Sequence, residues 1–242
     1  MKKILIVLTI LFLNFAYSQE DLAIKGFEAY LKGDYINAVK YSQQTCDSND
    51  LRGCVLLGFL YRDGLGVERD NFKAVELYSR ACRSNIGLGC AELGNMYKKG
   101  QGVRKDNLKA VELYRKACDL KDGSGCFSLG GMYEKGYGVR KDNPKAASFY
   151  KEACDLKDGS GCSNLGVMYI EGRGVKKDNN KAIELLKKSC NLNEGSGCVI
   201  LGAMCEGGIG IKKDLSIALE FYGKACDLGI DLGCENYARL KQ

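Results

Sequence analysis

The stretch A-C-D-L-K-D-G-S-G-C at Ala117–Cys126 recurs unchanged at Ala153–Cys162. In each copy two cysteines stand eight positions apart around a polar, glycine-bearing segment. Such a pair can hold a metal, act as a redox couple or staple two elements together, and the choice decides the fold. The spacing is general: cysteines fall at 46 and 54, 82 and 90, 118 and 126, 154 and 162, 190 and 198, and 226 and 234, and the pairs repeat every 36 residues. Gly58, Gly94, Gly130, Gly166 and Gly202 keep the same beat, as do Ala74, Ala110, Ala146, Ala182 and Ala218. Gly64, Gly100, Gly136, Gly172 and Gly208 keep it too, each followed two places on by a second glycine. A fixed period of this size marks a stacked array of supersecondary units.

Each unit reads as two helices. In C-F-S-L-G-G-M-Y-E-K, Cys126 to Lys135, the residues Cys126, Leu129, Gly130 and Tyr133 share one helical face. Gly136-Tyr137-Gly138 stops that helix. The next starts after Asp142-Asn143, good capping residues, with Pro144 in its first turn. Ala146, Ala147, Phe149, Tyr150 and Ala153 form its apolar stripe. A glycine inside a helix costs about 1 kcal/mol against alanine. The return of Gly130 in five copies therefore points to a close approach of helix backbones there.

The pattern L-G-x-M-Y-x-x-G-x-G-V-x-K-D-x-x-K-A-x-x-x-Y-x-K-A-C resembles the Sel1-like repeat, a relative of the tetratricopeptide repeat. With C-x7-C in every unit, the chain is similar to the Helicobacter cysteine-rich protein family. The resemblance runs from Asp21 to about Leu240. It implies an all-α fold, a right-handed α/α solenoid of antiparallel helix pairs. The expected units are a short atypical first one over 21–53, 36-residue units over 54–233 and a cap over 234–242. The first unit departs from the pattern, with its connector shortened to Tyr30-Leu31-Lys32-Gly33-Asp34-Tyr35. Terminal units of solenoids are expected to be atypical.

Within this architecture Cys118 falls at the end of one helix and Cys126 at the start of the next, with a seven-residue loop between them. The turn brings the two helix ends within bonding reach. The expected bridges are Cys46–Cys54, Cys82–Cys90, Cys118–Cys126, Cys154–Cys162, Cys190–Cys198 and Cys226–Cys234. In the chain-entropy view a loop of about nine residues gives on the order of 2.5 kcal/mol per bridge. Zinc sites use closer cysteine spacings, commonly with histidine, and redox pairs use C-x2-C. No metal and no cofactor is therefore expected. Cys205 is left over, in the place held by Tyr61, Tyr97, Tyr133 and Tyr169. It lies about 10 Å along the helix from Cys198, too far to bond it. It reads as a small buried substitute or as a free thiol that pairs between chains.

Residues 1–18 differ from the rest. Met1-Lys2-Lys3 is a positive start, Ile4–Leu13 is almost purely apolar, and Ala16-Tyr17-Ser18 offers a cleavage site before Gln19. This is the pattern of a secretory signal, too short for a membrane span. The mature chain, 19–242, is expected to be exported, periplasmic or secreted, and to meet an oxidising compartment without a membrane span. Loss of Lys2 and Lys3 takes the formal charge from +6 to +4, and both signs are interspersed along the chain. That reads as a solvated surface rather than a nucleic-acid stripe.

Histidine is absent, which removes most familiar hydrolytic machinery. The G-x-G-V runs sit between helices and read as turns, not phosphate loops. The resemblance implies one activity, since members of the cysteine-rich family are described as penicillin-binding proteins with slow β-lactamase activity. That would make the chain a hydrolase of cyclic amides. Ser148-Phe149-Tyr150-Lys151 forms an S-x-x-K, which makes Ser148 and Lys151 the candidate catalytic residues, but no S-D-N or K-T-G accompanies it. Binding is the stronger reading. Relatives line a concave surface with first-helix residues, and the columns that vary between copies are Val55, Phe59, Arg62; Ala91, Asn95, Lys98; Phe127, Gly131, Glu134; Ser163, Val167, Ile170; and Val199, Ala203, Glu206. This mixture suits an extended peptide or protein segment, from a host protein or a cell-wall peptide. Asn95 is placed to hydrogen-bond its backbone, and Lys98 or Arg62 to hold a carboxylate. β-Lactams are the small-molecule partner that the resemblance implies.

Overall fold

The computed structural model describes residues 22–242, so the expected leader over 1–18 lies outside the described residues. Among the described residues the regular structure is helical throughout. Helix α1 covers 22–31 and is followed by α2 (Tyr35–Asp47), α3 (Leu51–Asp63), α4 (Asn71–Arg83), α5 (Gly87–Lys99) and α6 (Asn107–Asp119). Then come α7 (Gly123–Lys135), α8 (Asn143–Asp155), α9 (Gly159–Glu171), α10 (Asn179–Asn191), α11 (Gly195–Gly207), α12 (Leu215–Asp227) and α13 (Asp231–Leu240). Two compact units divide within α6, one ending at Ala110 and the other beginning at Val111. Consecutive helices pack on one another from α2 to α5 in the first unit and from α7 to α13 in the second. In the second unit α7, α9 and α11 also pack side by side, and α11 touches α13.

Two connectors alternate. Even-numbered helices end in three-residue turns whose middle residue has positive φ: Asn49 (68°), Asn85 (63°), Lys121 (64°), Lys157 (66°), Asn193 (61°) and Gly229 (78°). The seven residues expected as a loop between paired cysteines are thus mostly helical. Cys118 lies one residue before the end of α6 and Cys126 is the fourth residue of α7, so only 120–122 turn the chain. Asp122 caps α7 by accepting from the Gly125 N–H at 2.9 Å, and Asp158 does the same for Gly161 at 2.7 Å. Carboxylates at a helix start satisfy donors that have no partner inside the helix.

Whereas α1 and α2 are joined by residues 32–34, helices α3, α5, α7, α9 and α11 end in a left-handed glycine such as Gly136 (φ 72°), and a seven-residue connector ends on the cap of the next helix. There Asp70, Asp106, Asp142, Asp178 and Asp214 accept from backbone N–H groups of the following first turn. Their own N–H groups donate back to the carbonyls of Tyr61, Tyr97, Tyr133, Tyr169 and Cys205 at 2.9–3.0 Å. Asn143 is the first helical residue of α8, with Pro144 beside it.

All six expected bridges are formed, with Cα–Cα distances of 4.5–4.8 Å. Helix backbones approach most closely beside them. A Cβ on Gly161 would stand 2.6 Å from the Ala153 Cβ and 3.0 Å from the Cys154 backbone nitrogen. Gly130 has a different reason for being glycine. Its would-be Cβ falls 2.8 Å from the Tyr150 ring, and Gly58 and Gly202 meet Tyr78 and Tyr222 in the same way. The aromatic ring, not the neighbouring backbone, takes the space there. These tyrosines are fully buried, so the repeat is keyed by a ring lying on a glycine.

Adjacent glycines give a paired test. Alanine at Gly130 drives a methyl into Tyr150 and is expected to cost about 1–3 kcal/mol. At Gly131 the added Cβ meets only the Tyr150 hydroxyl at 3.7 Å, so Gly131→Ala is expected to be neutral or to gain up to about 1 kcal/mol from helix propensity. Urea unfolding of the oxidised variants measures both.

Candidate binding face

The varying columns lie on the odd-numbered helices, and the structure divides them by depth. Val55, Ala91, Ser163 and Val199 are buried. Ser163 is therefore withdrawn from the expected surface. Its hydroxyl accepts from the Ser196 hydroxyl at 3.1 Å and ties α9 to α11. Phe127 is half-buried, its ring 5.7 Å from that of Tyr150. Phe59 meets Tyr78 edge-on at 5.7 Å. Val167 is half-buried, and Asn95 and Lys98 are half-buried and engaged with neighbouring groups.

The outermost column does work inside the protein. Arg62 lies over the Phe59 ring at 4.9 Å and donates to Glu92 and Asp63 at 2.8 and 2.7 Å. Glu134 accepts from the Tyr150 hydroxyl at 2.6 Å and also holds Arg173. Glu206 accepts from the Tyr222 hydroxyl at 2.9 Å and from Arg239 at 2.7 Å. Where the buried tyrosine is replaced by Leu186, the matching column residue is Ile170 rather than a carboxylate. The pairing is confined to these copies: Arg62 holds the same column beside Tyr78, whose buried hydroxyl has no hydrogen-bond partner among the described residues. Burial pushes the Tyr150 hydroxyl up, and its bond to Glu134 adds to the shift. Burial alone would raise the Glu134 carboxyl, but the bonds from Tyr150 and Arg173 outweigh it and hold the group below the usual range. Arg239, then Tyr222, lowers Glu206 in the same way, and Tyr222 itself is pushed up to about 12 by burial and Glu206.

The first unit also carries an apolar groove of about 320 Å³. Phe59, Arg62 and Val55 form one wall, and Phe27, Tyr30 and Leu88 close it. The last three are absent from the sequence-derived columns. Leu88 was legible by comparing copies, because it stands where Ser124, Ser160 and Ser196 stand in later units. Phe27 and Tyr30 belong to α1, outside the regular repeat.

Ser148 and Lys151 are exposed on α8. Lys151 donates to Asp155 at 2.7 Å, and that bond raises its ammonium further from neutrality. A lysine base needs the opposite shift. Cys205 is buried, and burial pushes its thiol up, as suits a small apolar filler better than a bridging thiol. Cys118, Cys126 and Glu152 cluster closely enough to suggest a metal site, but the two sulfurs are bonded to each other and offer no thiolate.

Helix pairs of one length, clipped at a constant interval and varied on one face, define an all-α repeat scaffold. The chain belongs to the Sel1 repeat family, whose repeat matches residues 16–50, 51–86, 87–122, 123–158, 159–194 and 195–230. Among solved structures it is similar to a Sel1 repeat protein from Oxalobacter formigenes, at 26% identity and TM-score 0.74 over 92% of this chain and 88% of that one. It is similar too to a protective antigen of uropathogenic Escherichia coli, at 27% identity and TM-score 0.70 over 92% of this chain, and spans 48% of that protein. Helicobacter pylori cysteine rich protein B aligns at 37% identity and TM-score 0.47 over 55% of this chain and 96% of its own. No curated protein matches.

The lowered Glu134 carboxyl fixes a pH dependence. A group depressed in the folded state adds stability above the ordinary carboxylate range, and that stability is lost as pH falls through the folded value. Glu134→Gln is expected to be less stable than the parent at neutral pH by about 1 kcal/mol, the worth of a typical hydrogen bond. The gap should close in acid, which chemical unfolding at pH 7 and at pH 3 checks.

Proposed function

We propose that this protein is an exported, disulfide-braced scaffold that holds an extended peptide segment of a partner protein against its first-helix face. The observation that carries this reading is the groove of the first unit. A constant framework there opens into apolar walls at Phe27, Tyr30, Phe59 and Leu88, with the Arg62 guanidinium at the rim. Aromatic anchors beside an arginine are the usual centre of a peptide-binding surface. In the second unit, taken by itself, Phe127 and Val167 are the half-buried apolar residues of the first-helix columns. Glu134, Glu206 and Arg62 serve first to hold neighbouring helices, so their part in binding is to shape the surface. Asn95 and Lys98 are the polar contacts proposed for a peptide backbone and its acidic group.

Six disulfides support export, since such bridges persist in oxidising compartments. The similarity to a bacterial protective antigen fits a protein displayed outside the cytoplasm. A host protein or a peptide of the cell envelope is the proposed partner class.

Affinity capture with the oxidised protein, from host-cell extract and from solubilised envelope, should retain a defined polypeptide. Phe59→Ala should lower its retention at least tenfold, the loss expected of a buried aromatic anchor. Equal retention by parent and Phe59→Ala would sink the reading.

A further inference from the structure

Cations and anions alternate along the sequence, but the fold sorts them. Within the second unit consecutive helices are antiparallel, so its seven-residue connectors fall at one end of the helices and its disulfide turns at the other. In the second unit the turn edge carries Asp119, Asp122, Asp155, Asp158, Asp227 and Asp231, which outnumber the turn lysines Lys121 and Lys157. Burial, with Glu194 and Asp122 nearby, pushes the Asp158 carboxyl up, as crowding of one sign does. The connector edge carries Arg140-Lys141, Lys176-Lys177 and Lys212-Lys213. All six side chains are exposed, and none joins an ion pair among the described residues. The carboxylates beside them, Asp142, Asp178 and Asp214, are occupied in capping.

These dyads lie on a continuous edge. Gly174 and Gly210 have no side chain where they press on Asn143 and Asn179, so successive connectors stack directly. Between two of them lies an open groove of about 910 Å³ whose lining includes Tyr133, Arg140, Lys141, Gly174 and the ion pair of Lys145 with Asp142. Apolar side chains stand among the cations. Ile209 sits at a connector tip between Gly208 and Gly210, 47% exposed, and Leu215 opens α12, 48% exposed. Tyr137 and Ile217 are exposed on the same edge. The first unit, taken by itself, carries one such dyad, Arg104-Lys105 beside Leu108 at 66% exposure, whereas its other connector has Glu68-Arg69 beside Phe72 at 76%.

We propose that the connector edge is a docking surface for an anionic phospholipid bilayer. In the second unit the dyads meet headgroup phosphates, and Ile209 and Leu215 enter the interfacial layer. Charge complementarity selects an anionic partner, and the aliphatic groups select a bilayer over other polyanions. A nucleic-acid strand rewards stacked aromatic rings on a cationic track and offers nothing to isoleucine and leucine. No helix among the described residues is long and apolar enough to cross a membrane, so the edge lies on the surface. It is distinct from the peptide-binding face.

The test is co-sedimentation of the oxidised full chain with vesicles of phosphatidylcholine alone, or with phosphatidylglycerol as a third of the lipid, at low and high salt. Binding is expected only with phosphatidylglycerol and should weaken with salt. Lys176→Glu with Lys177→Glu should weaken it roughly tenfold or more. Lys121→Glu with Lys157→Glu makes the same charge change on the turn edge and should leave it intact. Ile209→Ser with Leu215→Ser should weaken binding at both salt levels, and Phe59→Ala should not weaken it. Circular dichroism confirms folding, and Lys212→Glu with Lys213→Glu replaces any dyad variant that fails. Equal loss from both lysine pairs, equal binding to neutral vesicles, or retention on duplex DNA with none on vesicles would each overturn the proposal.

Discussion

The covalent link between the end of one helix and the start of the next sets the terms for everything else in this protein. Cys118 and Cys126 are close enough to bond because the chain reverses in three residues, with Lys121 in the left-handed region at φ 64°. That reversal forces the helices together at once, so the residues just inside it must be small. Ala117 faces Gly125, and Ala153 faces Gly161, with no room for a larger side chain. One turn further along the hairpin the helices have diverged enough to admit a tyrosine ring against Gly130. Clip, small pair and ring on glycine form one graded wedge, and the wedge recurs because the sequence does.

The residues free to vary answer two demands. Some of the first-helix surface is committed to the fold: Glu134 and Glu206 satisfy buried tyrosine hydroxyls and hold arginines from the following repeat. Where Leu186 removes the hydroxyl, Ile170 removes the carboxylate. Variation between copies is therefore partly matched pairs, and only the unmatched part is available to distinguish a partner. Phe59, Phe127 and Val167 belong to that part, as do Phe27, Tyr30 and Leu88.

The helix pairs and the sulfur pairing were legible in the sequence because a period of 36 makes each unit a copy of the next, and a cysteine always has its neighbour in the same place. The depth of a side chain was less so. Ser163 varies between copies as a surface residue would, yet it is buried, because its column lies one residue past the clip where helices are closest. The length of the turn escaped because glycine and serine read as loop formers, whereas in G-S-G they start a helix under an aspartate cap. Charge segregation escaped because alternation along the chain and separation in space are compatible when the path doubles back at regular intervals.

Because each sulfur pair spans only eight positions, its partners are never far apart during synthesis. On the export proposed above, a chain threaded through a translocation channel would deliver both thiols of a pair almost together, before those of the next have emerged. Oxidation in the order of emergence would then close each crosslink before a competitor arrives, so that an oxidant would matter more than an isomerase.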